Sequence, residues 1–537
     1  MKSKPERGRR RAAANRLHRV AWLRVGIWLF CMGLWAAESA AAQRNILLII
    51  ADDYGADSSS LYNSTSAGAS LPPTPNITAL AQSGVVFRNA YANPVCSPTR
   101  ACLITGRHSF RTGVGDAVTG PGSPSLTSAE FTLPEAFAAN AGLGYQLAQF
   151  GKWHLASGPN TPATIGGWPH FSGSLIGALA SYTNWTKTVN GVNTTGYTNY
   201  ATTDLVDDAV AWIQARGTQQ PWFAWVAFNA GHTPLHKPPN ALCPNYTSLP
   251  GTTADINARP RLYFEAMVEA MDTEMGRLLA AVDRANTHVI FLGDNGTASS
   301  VLQPPYPASR GKSTLYEGGT RVPFLISGPA VVNPGRTNDA LVHAVDLFAT
   351  VLDLAGINAA ATVPAETRVD SRSLVPLLSG QAGGSRAVYT ELFGSAVATG
   401  QDGRALRDER CKLIRFTDGH DEFYDLEADP YEGTNLLTAT LTALHQQHRD
   451  RLEFWLAGYS TNTGPSIVAP VLGGGRFSVS LSQTAGAGYA LWRCDDPMAA
   501  FWSPVSGTLA GVTNSVVTLT DPSPTAGRAF YSVVQSP

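Results

Sequence analysis

The stretch "RNILLIIADDYG", Arg44 to Gly55, decides the fold. Its apolar run from Ile46 to Ala51 does not alternate with polar residues, and it stops abruptly at Asp52 and Asp53. A half-exposed strand alternates. An unbroken run of this length reads as a strand buried on both faces, as in a parallel sheet with helices packed on either side. The pattern recurs in "THVIFLGDNG" (287–296), which ends in Asp294 and Asn295, and in "PWFAWVAFNAGHTPLH" (221–236), which ends near His232. Sites in open α/β sheets gather at the carboxyl ends of the strands, so these three endings predict one shared pocket.

Helical spacing fills the intervals. In "TDLVDDAVAWIQAR" (203–216), "RLYFEAMVEAMDTEMGRLLAAVD" (261–283) and "VHAVDLFATVLDLAG" (342–356) apolar residues recur every three to four positions. Strands alternating with helices predict an α/β fold: a mixed, mostly parallel, doubly wound sheet flanked by helices, occupying 43–375. A smaller C-terminal α+β subdomain follows at 376–458, where "CKLIRFTDGHDEFYDLEADPYEGTNLL" (411–437) reads as an antiparallel hairpin running into a loop. After Gly458 the composition changes. "STNTGPSIVAPVLGGG" (460–475) reads as a linker, placed at 459–472, and the Ser-, Thr-, Val- and Gly-rich remainder, 473–537, as an appended small β module.

The 537 residues are 44% hydrophobic and 15% charged, enough for a large domain and a smaller one with a substantial core. The formal net charge is -1, and no basic stripe stands out beyond the N-terminus, so no nucleic-acid partner is expected. Residues 1–42 read as a signal peptide: the basic "KSKPERGRRR", the apolar "VGIWLFCMGLWAA" and the small residues of "ESAAAQ", with cleavage near Ala42. The alternative is a membrane anchor, but the apolar run falls short of the ~20 residues that span a bilayer, so no stable span is expected. The expected location is periplasmic or extracellular. Of six cysteines, Cys31 lies in the signal, leaving Cys96, Cys102, Cys243, Cys411 and Cys494, an odd number with no CxxC pair. Neither a disulfide scaffold nor a thiolate zinc site is indicated.

Asp52, Asp53, Asp294 and Asn295 offer hard oxygen ligands, which suit Ca²⁺ or Mg²⁺ far better than Zn²⁺. Adjacent aspartates after a strand can also simply start a turn or cap a helix. It is the second acidic ending, "GDNG", that favours a metal. Two other motifs fail. "RGKST" (310–314) resembles the end of a P-loop, but Tyr306 stands where the leading glycine belongs. His232 and His236 have the spacing of a helical zinc pair, but Pro234 between them would break the helix.

"CSPTRACLITGR" (96–107) resembles the signature of the formylglycine-dependent sulfatases, Cys-x-Pro-x-Arg followed by Thr-Gly-Arg. "ILLIIADDYG", "TPNITALAQSGVVFRNAYA", "FGKWHLA", "NAGHTPLHKP", "FLGDNG" and "GKSTLYEGGTRVPF" resemble further blocks of that family, in its order, from Arg44 to Leu437. The resemblance implies that Cys96 is a precursor, oxidised after synthesis by a formylglycine-generating maturation enzyme. One hydroxyl of the aldehyde hydrate attacks sulfur and the other later expels sulfate, a covalent route with a built-in exit.

The resemblance also assigns roles. Asp52, Asp53, Asp294, Asn295 and the modified Cys96 are expected to bind the metal, Ca²⁺ with Mg²⁺ as the alternative. Arg100 and Lys152 are expected to hold the aldehyde hydrate and the sulfate, and His154 to assist turnover of the sulfated group. His232 and Lys312 are expected to contact the sulfate and leaving oxygen, with His232 as general acid, and His236 is a further candidate substrate contact. Outside this context the bland readings are surface lysines, satisfied core histidines and, for Cys102, a small buried residue. Thr99 and Ala156 depart from the family pattern without removing a catalytic group.

The expected substrate is a sulfated carbohydrate or an aryl sulfate. A phosphoesterase or phosphonate esterase of the same alkaline-phosphatase-like group is the near rival, and a catalytically dead glycan-binding relative the distant one. Specificity is expected in the loop 172–197, where Tyr182, Trp185 and Tyr197 either line a sugar site or pack the loop.

Overall fold

A computed structural model describes residues 43–459, apart from 64–67, 121–122, 156–160, 219, 385 and 395–399, together with strand segments between 467 and 536. The expected signal peptide, 1–42, and the departure at Ala156 lie outside the described residues. Among the described residues no helix is long and apolar enough to cross a membrane.

The main sheet has ten strands: β1 (Asn45–Ala51), β2 (Gly84–Tyr91), β3 (Gln146–Lys152), β4 (Phe171–Ser174), β5 (Trp185–Val189), β6 (Val192–Tyr197), β7 (Trp222–Ala227), β8 (Thr287–Gly293), β9 (Phe324–Ser327) and β10 (Arg336–His343). Their order is β10-β2-β9-β8-β1-β7-β3-β4-β5-β6. The middle of the sheet, β8-β1-β7-β3-β4, is parallel, while β9 and the β5–β6 hairpin run antiparallel to their neighbours.

The reading of Ile46 to Ala51 as a strand buried on both faces holds, because alternate residues enter two different cores. Ile46, Leu48 and Ile50 pack with Leu103, Phe137 and Phe348 on one face. Leu47, Ile49 and Ala51 pack with Ile77, Val206, Phe264 and Met271 on the other. Helices Pro75–Gln82, Ala201–Arg216 and Pro260–Ala280 cover that second face. The chain leaves β1 between β7 on one side and β8 on the other, which opens a crevice at the carboxyl ends.

A second sheet, antiparallel throughout, is formed by Val388–Leu392, Gly403–Arg407, Cys411–Phe416 and Asp421–Asp425, and the last two are the expected hairpin. One face packs on helix Ala443–Gly458 through Leu406, Leu413, Leu452 and Leu456. The other, with Ala405, Ile414 and Phe416, packs on Val95, Cys96 and Leu315, so the smaller sheet backs directly onto the candidate nucleophile.

Two local expectations need correction, and one open alternative is resolved toward packing. The helix over 342–356 is confined to Leu347–Leu354, because Val342 and His343 finish β10 and the His343 imidazole caps the following turn, with Nδ1 accepting from Val345 N at 3.0 Å. The linker placed at 459–472 contains a strand, Ile467–Gly473, paired with Arg476–Ser482, since Ile467, Val468, Val471 and Leu472 are good strand formers. The loop 172–197 includes β5 and β6, and its aromatic residues pack the fold. Trp185 Nε1 donates to Asn199 O at 3.0 Å, and Tyr197 Oη donates to Asp204 Oδ1 at 2.7 Å.

Candidate active site

Each strand ending delivers its polar residues to one place. Asp52 and Asp53 follow β1, Asp294 and Asn295 follow β8, Lys152 is the last residue of β3, and His232 lies in the turn after β7. Cys96 opens helix Cys96–Thr105, all ten residues of which are buried. An oxygen of Asp52, an oxygen of Asp294 and the Cys96 sulfur lie within 4.8 Å of one another, as do oxygens of Asp52 and Asp53 and a ring nitrogen of His232. The N-terminus of a helix presents unpaired N–H groups and the positive end of the backbone dipole, so position 96 sits where an anion is favoured.

Each carboxylate is matched to a cation. Lys152 Nζ donates to Asp52 Oδ2 at 2.6 Å, with both side chains fully buried. Arg100 is also fully buried, and it grips Asp294 Oδ2 through Nε at 3.1 Å and Nη2 at 2.8 Å while Nη1 donates to Lys152 O at 2.7 Å. Lys312 Nζ meets Asp53 Oδ1 at 2.5 Å, and Asn295 Nδ2 donates to the same oxygen at 2.8 Å. The bland reading of Lys152 and Lys312 as surface lysines is therefore wrong: both are drawn inward by buried carboxylates.

The electrostatics follow. Burial, aided by Asp53 and Cys96, pushes the Asp52 carboxyl up to about 6 against the pull of Lys152. Burial would raise Asp53 too, but Lys312, His232 and Lys152 together hold it well below the usual carboxylate range. Burial, then Asp52, raises Asp294 in spite of Arg100. Asp53 has φ 52°, a left-handed conformation that turns its carboxylate back toward Asn295 at the strand end.

The donor set fits a hard divalent cation. Asp52 Oδ1 and Asn295 Oδ1 are buried acceptors without a hydrogen-bond partner, beside the Asp53 and Asp294 carboxylates. Unmet buried acceptors are costly, and a cation satisfies both.

His154 is held on three sides. Its backbone N donates to Leu175 O at 3.2 Å, Nε2 faces Val118 O at 3.1 Å, and Nδ1 lies 3.0 Å from Cys96 Sγ. A carbonyl only accepts, so Nε2 carries the proton and the Nδ1 lone pair points at position 96. Burial, then Lys152 and Arg100, keeps the ring well below the usual histidine range, hence neutral and able to accept a proton. His232 Nδ1 faces Thr233 O at 2.9 Å, which leaves Nε2 as the atom that gains and loses a proton. Burial lowers its affinity for that proton, and Asp53 partly restores it.

His236 departs from the expected role. Its Nδ1 faces Pro234 O at 3.1 Å, its Nε2 pairs with Tyr200 Oη at 3.0 Å, and its ring stacks on Tyr182 with centroids 4.2 Å apart. Both nitrogens are engaged in the fold, so it has no free atom for a substrate. Thr99 is equally structural: Oγ1 accepts from Asn93 N at 3.0 Å and does the work of a serine. Cys102 is a buried core residue beside Asn93 Nδ2, and among the described residues Cys96, Cys102, Cys243 and Cys411 are all free thiols.

Sequence reasoning passed over three supports. Ser97 Oγ donates to His154 O at 2.7 Å and accepts from Val118 N at 3.1 Å, joining the nucleophile helix to His154 and to the residue whose carbonyl orients its ring. Ser97 is one of the two unspecified positions inside the quoted motif, so attention to that position was the available signal. Gly177 lies flat on the His154 ring, and the Val118 carbonyl is a backbone atom with no sequence signature at all.

Carboxylate and amide oxygens at parallel strand ends, the buried Cys96 at a helix N-terminus among them, and three fixed cations form a pocket suited to an anionic group. More narrowly, the chain belongs to the sulfatase family, whose model matches residues 44–357. The model "N-sulphoglucosamine sulphohydrolase, C-terminal" matches residues 310–455. Human N-acetylgalactosamine-6-sulfatase is 29% identical over 377 residues, covering 64% of this chain and 67% of that protein. A sulfatase of Formosa agariphila is 27% identical over 522 residues, covering 80% and 91%. Mouse arylsulfatase J is 29% identical over 345 residues, covering 60% of this chain, and only 54% of its own length is spanned. The solved structure of Ps i-CgsB in complex with k-i-k-neocarrahexaose has a TM-score of 0.65 at 25% identity, covering 77% of this chain and 92% of that one. The chain is of the sulfuric ester hydrolase class.

Proposed function

We propose that this protein is an exported sulfatase that removes sulfate from carbohydrate, using formylglycine made from Cys96 and a bound divalent metal, Ca²⁺ or Mg²⁺. The observation that carries the reading is the surrounding of position 96: Asp52 and Asp294 oxygens beside it, the His154 Nδ1 lone pair 3.0 Å away, and Lys152, Arg100 and Lys312 balancing the acids. The names of the human N-acetylgalactosamine-6-sulfatase and of the neocarrahexaose complex support a sugar as the sulfated partner. The basic-then-apolar N-terminus supports export.

The metal, held by Asp52, Asp53, Asp294, Asn295 and position 96, would offset the negative charge of the sulfate. Formylglycine would supply a hydrated aldehyde with two hydroxyls on one carbon, one to bond sulfur and one to drive its release. The side chains do the remainder. Lys152 and Lys312 balance charge that builds on the sulfate oxygens as the S–O bond lengthens. His154 Nδ1 accepts a proton from position 96, with Val118 O holding the ring in the right tautomer. His232 Nε2 donates a proton to the leaving oxygen. Arg100 positions rather than reacts, tying the Asp294 carboxylate to the end of β3.

The test is the mass of the tryptic peptide Asn89–Arg100 from protein made in a host with the maturation machinery, followed by rates on matched aryl sulfate and aryl phosphate. The expected peptide has lost the thiol sulfur and reacts with an aldehyde probe, and sulfate is hydrolysed in preference. An unmodified Cys96 in a host that converts a control sulfatase, or a preference for phosphate, refutes the reading.

A further inference from the structure

We infer that Tyr182 is the positioning residue for His232: its phenol grips the turn that carries the proton donor and thereby sets how well the enzyme handles poor leaving groups. The inference rests on the reading of His232 as general acid and adds a device that the motifs do not contain.

Tyr182 lies between β4 and β5, outside every motif block, and is 2% exposed. Its Oη lies 2.6 Å from Asn229 O and 2.8 Å from His232 O, the two carbonyls that bracket the turn after β7, and its single proton is shared between them. The turn's own bond, His232 N to Asn229 O at 2.8 Å, converges on the first of them. The His232 side chain is anchored through Nδ1, on the adjacent Thr233 O at 2.9 Å and near Thr233 Oγ1 at 3.4 Å, both within the same turn, while the turn's backbone is tied to the end of β1 by Gly231 N to Asp52 O at 2.9 Å and Asp52 N to Ala230 O at 3.1 Å. Tyr182 adds a side-chain hold at His232 itself, beyond those backbone bonds, and its ring is clamped. It stacks on His236 at 4.2 Å, and His236 is tied to Pro234 O and to Tyr200 Oη on helix Ala201–Arg216's leading edge. This accounts for the full engagement of His236: it braces Tyr182. A phenol buried this deeply stays protonated, so its donation persists across the working pH range.

In the reaction a hydroxyl at position 96 would form the new O–S bond and give its proton to His154 Nδ1, while the S–O bond to the leaving group breaks with its electron pair going to the leaving oxygen, which takes the Nε2 proton of His232. Proton donation matters little for an activated aryl leaving group and a great deal for a sugar hydroxyl. Loss of the positioning bond therefore shows as selectivity and not as a uniform loss.

The experiment measures kcat/KM for wild-type, Tyr182→Phe, His232→Gln and Trp185→Phe proteins on aryl sulfates spanning leaving groups from nitrophenol to phenol, with maturation checked by peptide mass. Tyr182→Phe is expected to match wild type on the nitrophenyl ester and lose roughly tenfold on the phenyl ester, the scale of one buried hydrogen bond. His232→Gln is expected to steepen the dependence further. Trp185→Phe, which removes the Asn199 bond from the same segment, is expected to leave the slope unchanged. An equal loss on all esters with Tyr182→Phe, or none, while His232→Gln steepens the slope, overturns the positioning role alone. A slope unchanged in His232→Gln overturns the general-acid reading, and the positioning role with it.

Discussion

Gly177→Ala adds one methyl group where there is no room for it. A Cβ at Gly177 would stand 2.3 Å from both Cε1 and Nε2 of His154 and 2.8 Å from Cδ2. Carbon atoms in good contact are about 3.5–4.0 Å apart, so the imidazole and the segment must separate by about 1 Å or more. The ring has nowhere to go without loss, because moving it breaks Nε2 from Val118 O at 3.1 Å and Nδ1 from position 96 at 3.0 Å. Overpacking of this kind costs about 1–3 kcal/mol of stability, and a misplacement of about 1 Å at a reacting group costs about 100-fold in rate. The expected result is a protein that folds, melts a few degrees lower and turns over aryl sulfate about 100-fold more slowly. Gly142→Ala is the control, since a Cβ there meets nothing within 4 Å. The assays are kcat on an aryl sulfate, thermal denaturation, and the mass of the Asn89–Arg100 peptide to show equal maturation. A Gly177→Ala enzyme with wild-type kcat would refute the clamped geometry assigned to His154.

Burial holds the Glu391 carboxyl up at about 7, against an ordinary value of 4.5, so the folded chain binds that proton more tightly than the unfolded chain. The stabilisation is complete below pH 4.5 and lost as pH rises through 7; Glu391→Gln, which keeps an acceptor for Phe110 N, is expected to raise the melting temperature at pH 8 and leave it unchanged at pH 4. Lys412 is bound between Glu317 at 3.1 Å and Glu432 at 2.9 Å, all three buried, so Lys412→Met is expected to destabilise by about 3–5 kcal/mol. Adding Glu317→Gln should return part of that loss in denaturant melts, and strict additivity would show that the charges do not interact. Chelation is expected to abolish turnover yet leave the near-ultraviolet dichroism intact, because Lys152, Lys312 and Arg100 already neutralise Asp52, Asp53 and Asp294. Unfolding on chelation would show that the metal, and not these ion pairs, holds the strand ends together.

The sequence by itself determined whatever a few neighbouring residues can specify. An unbroken apolar run does not suit a one-sided sheet, so "ILLIIA" pointed to a doubly covered strand, and the second acidic ending at "GDNG" pointed to a shared pocket at the carboxyl edge. The resemblance carried by short motifs brought Cys96, Arg100, Lys152, His154, His232 and Lys312 into view, and their side chains lie around one crevice. Tertiary structure decided everything that depends on partners far along the chain. His236 was a candidate substrate contact through the block "NAGHTPLHKP", but Tyr182 and Tyr200, more than thirty residues away, engage it. His154 acquires its tautomer from a backbone carbonyl at Val118 and its confinement from a missing methyl at Gly177. Backbone carbonyls are identical in every residue and the space around a glycine belongs to its neighbours, so neither leaves a mark in composition, spacing or periodicity.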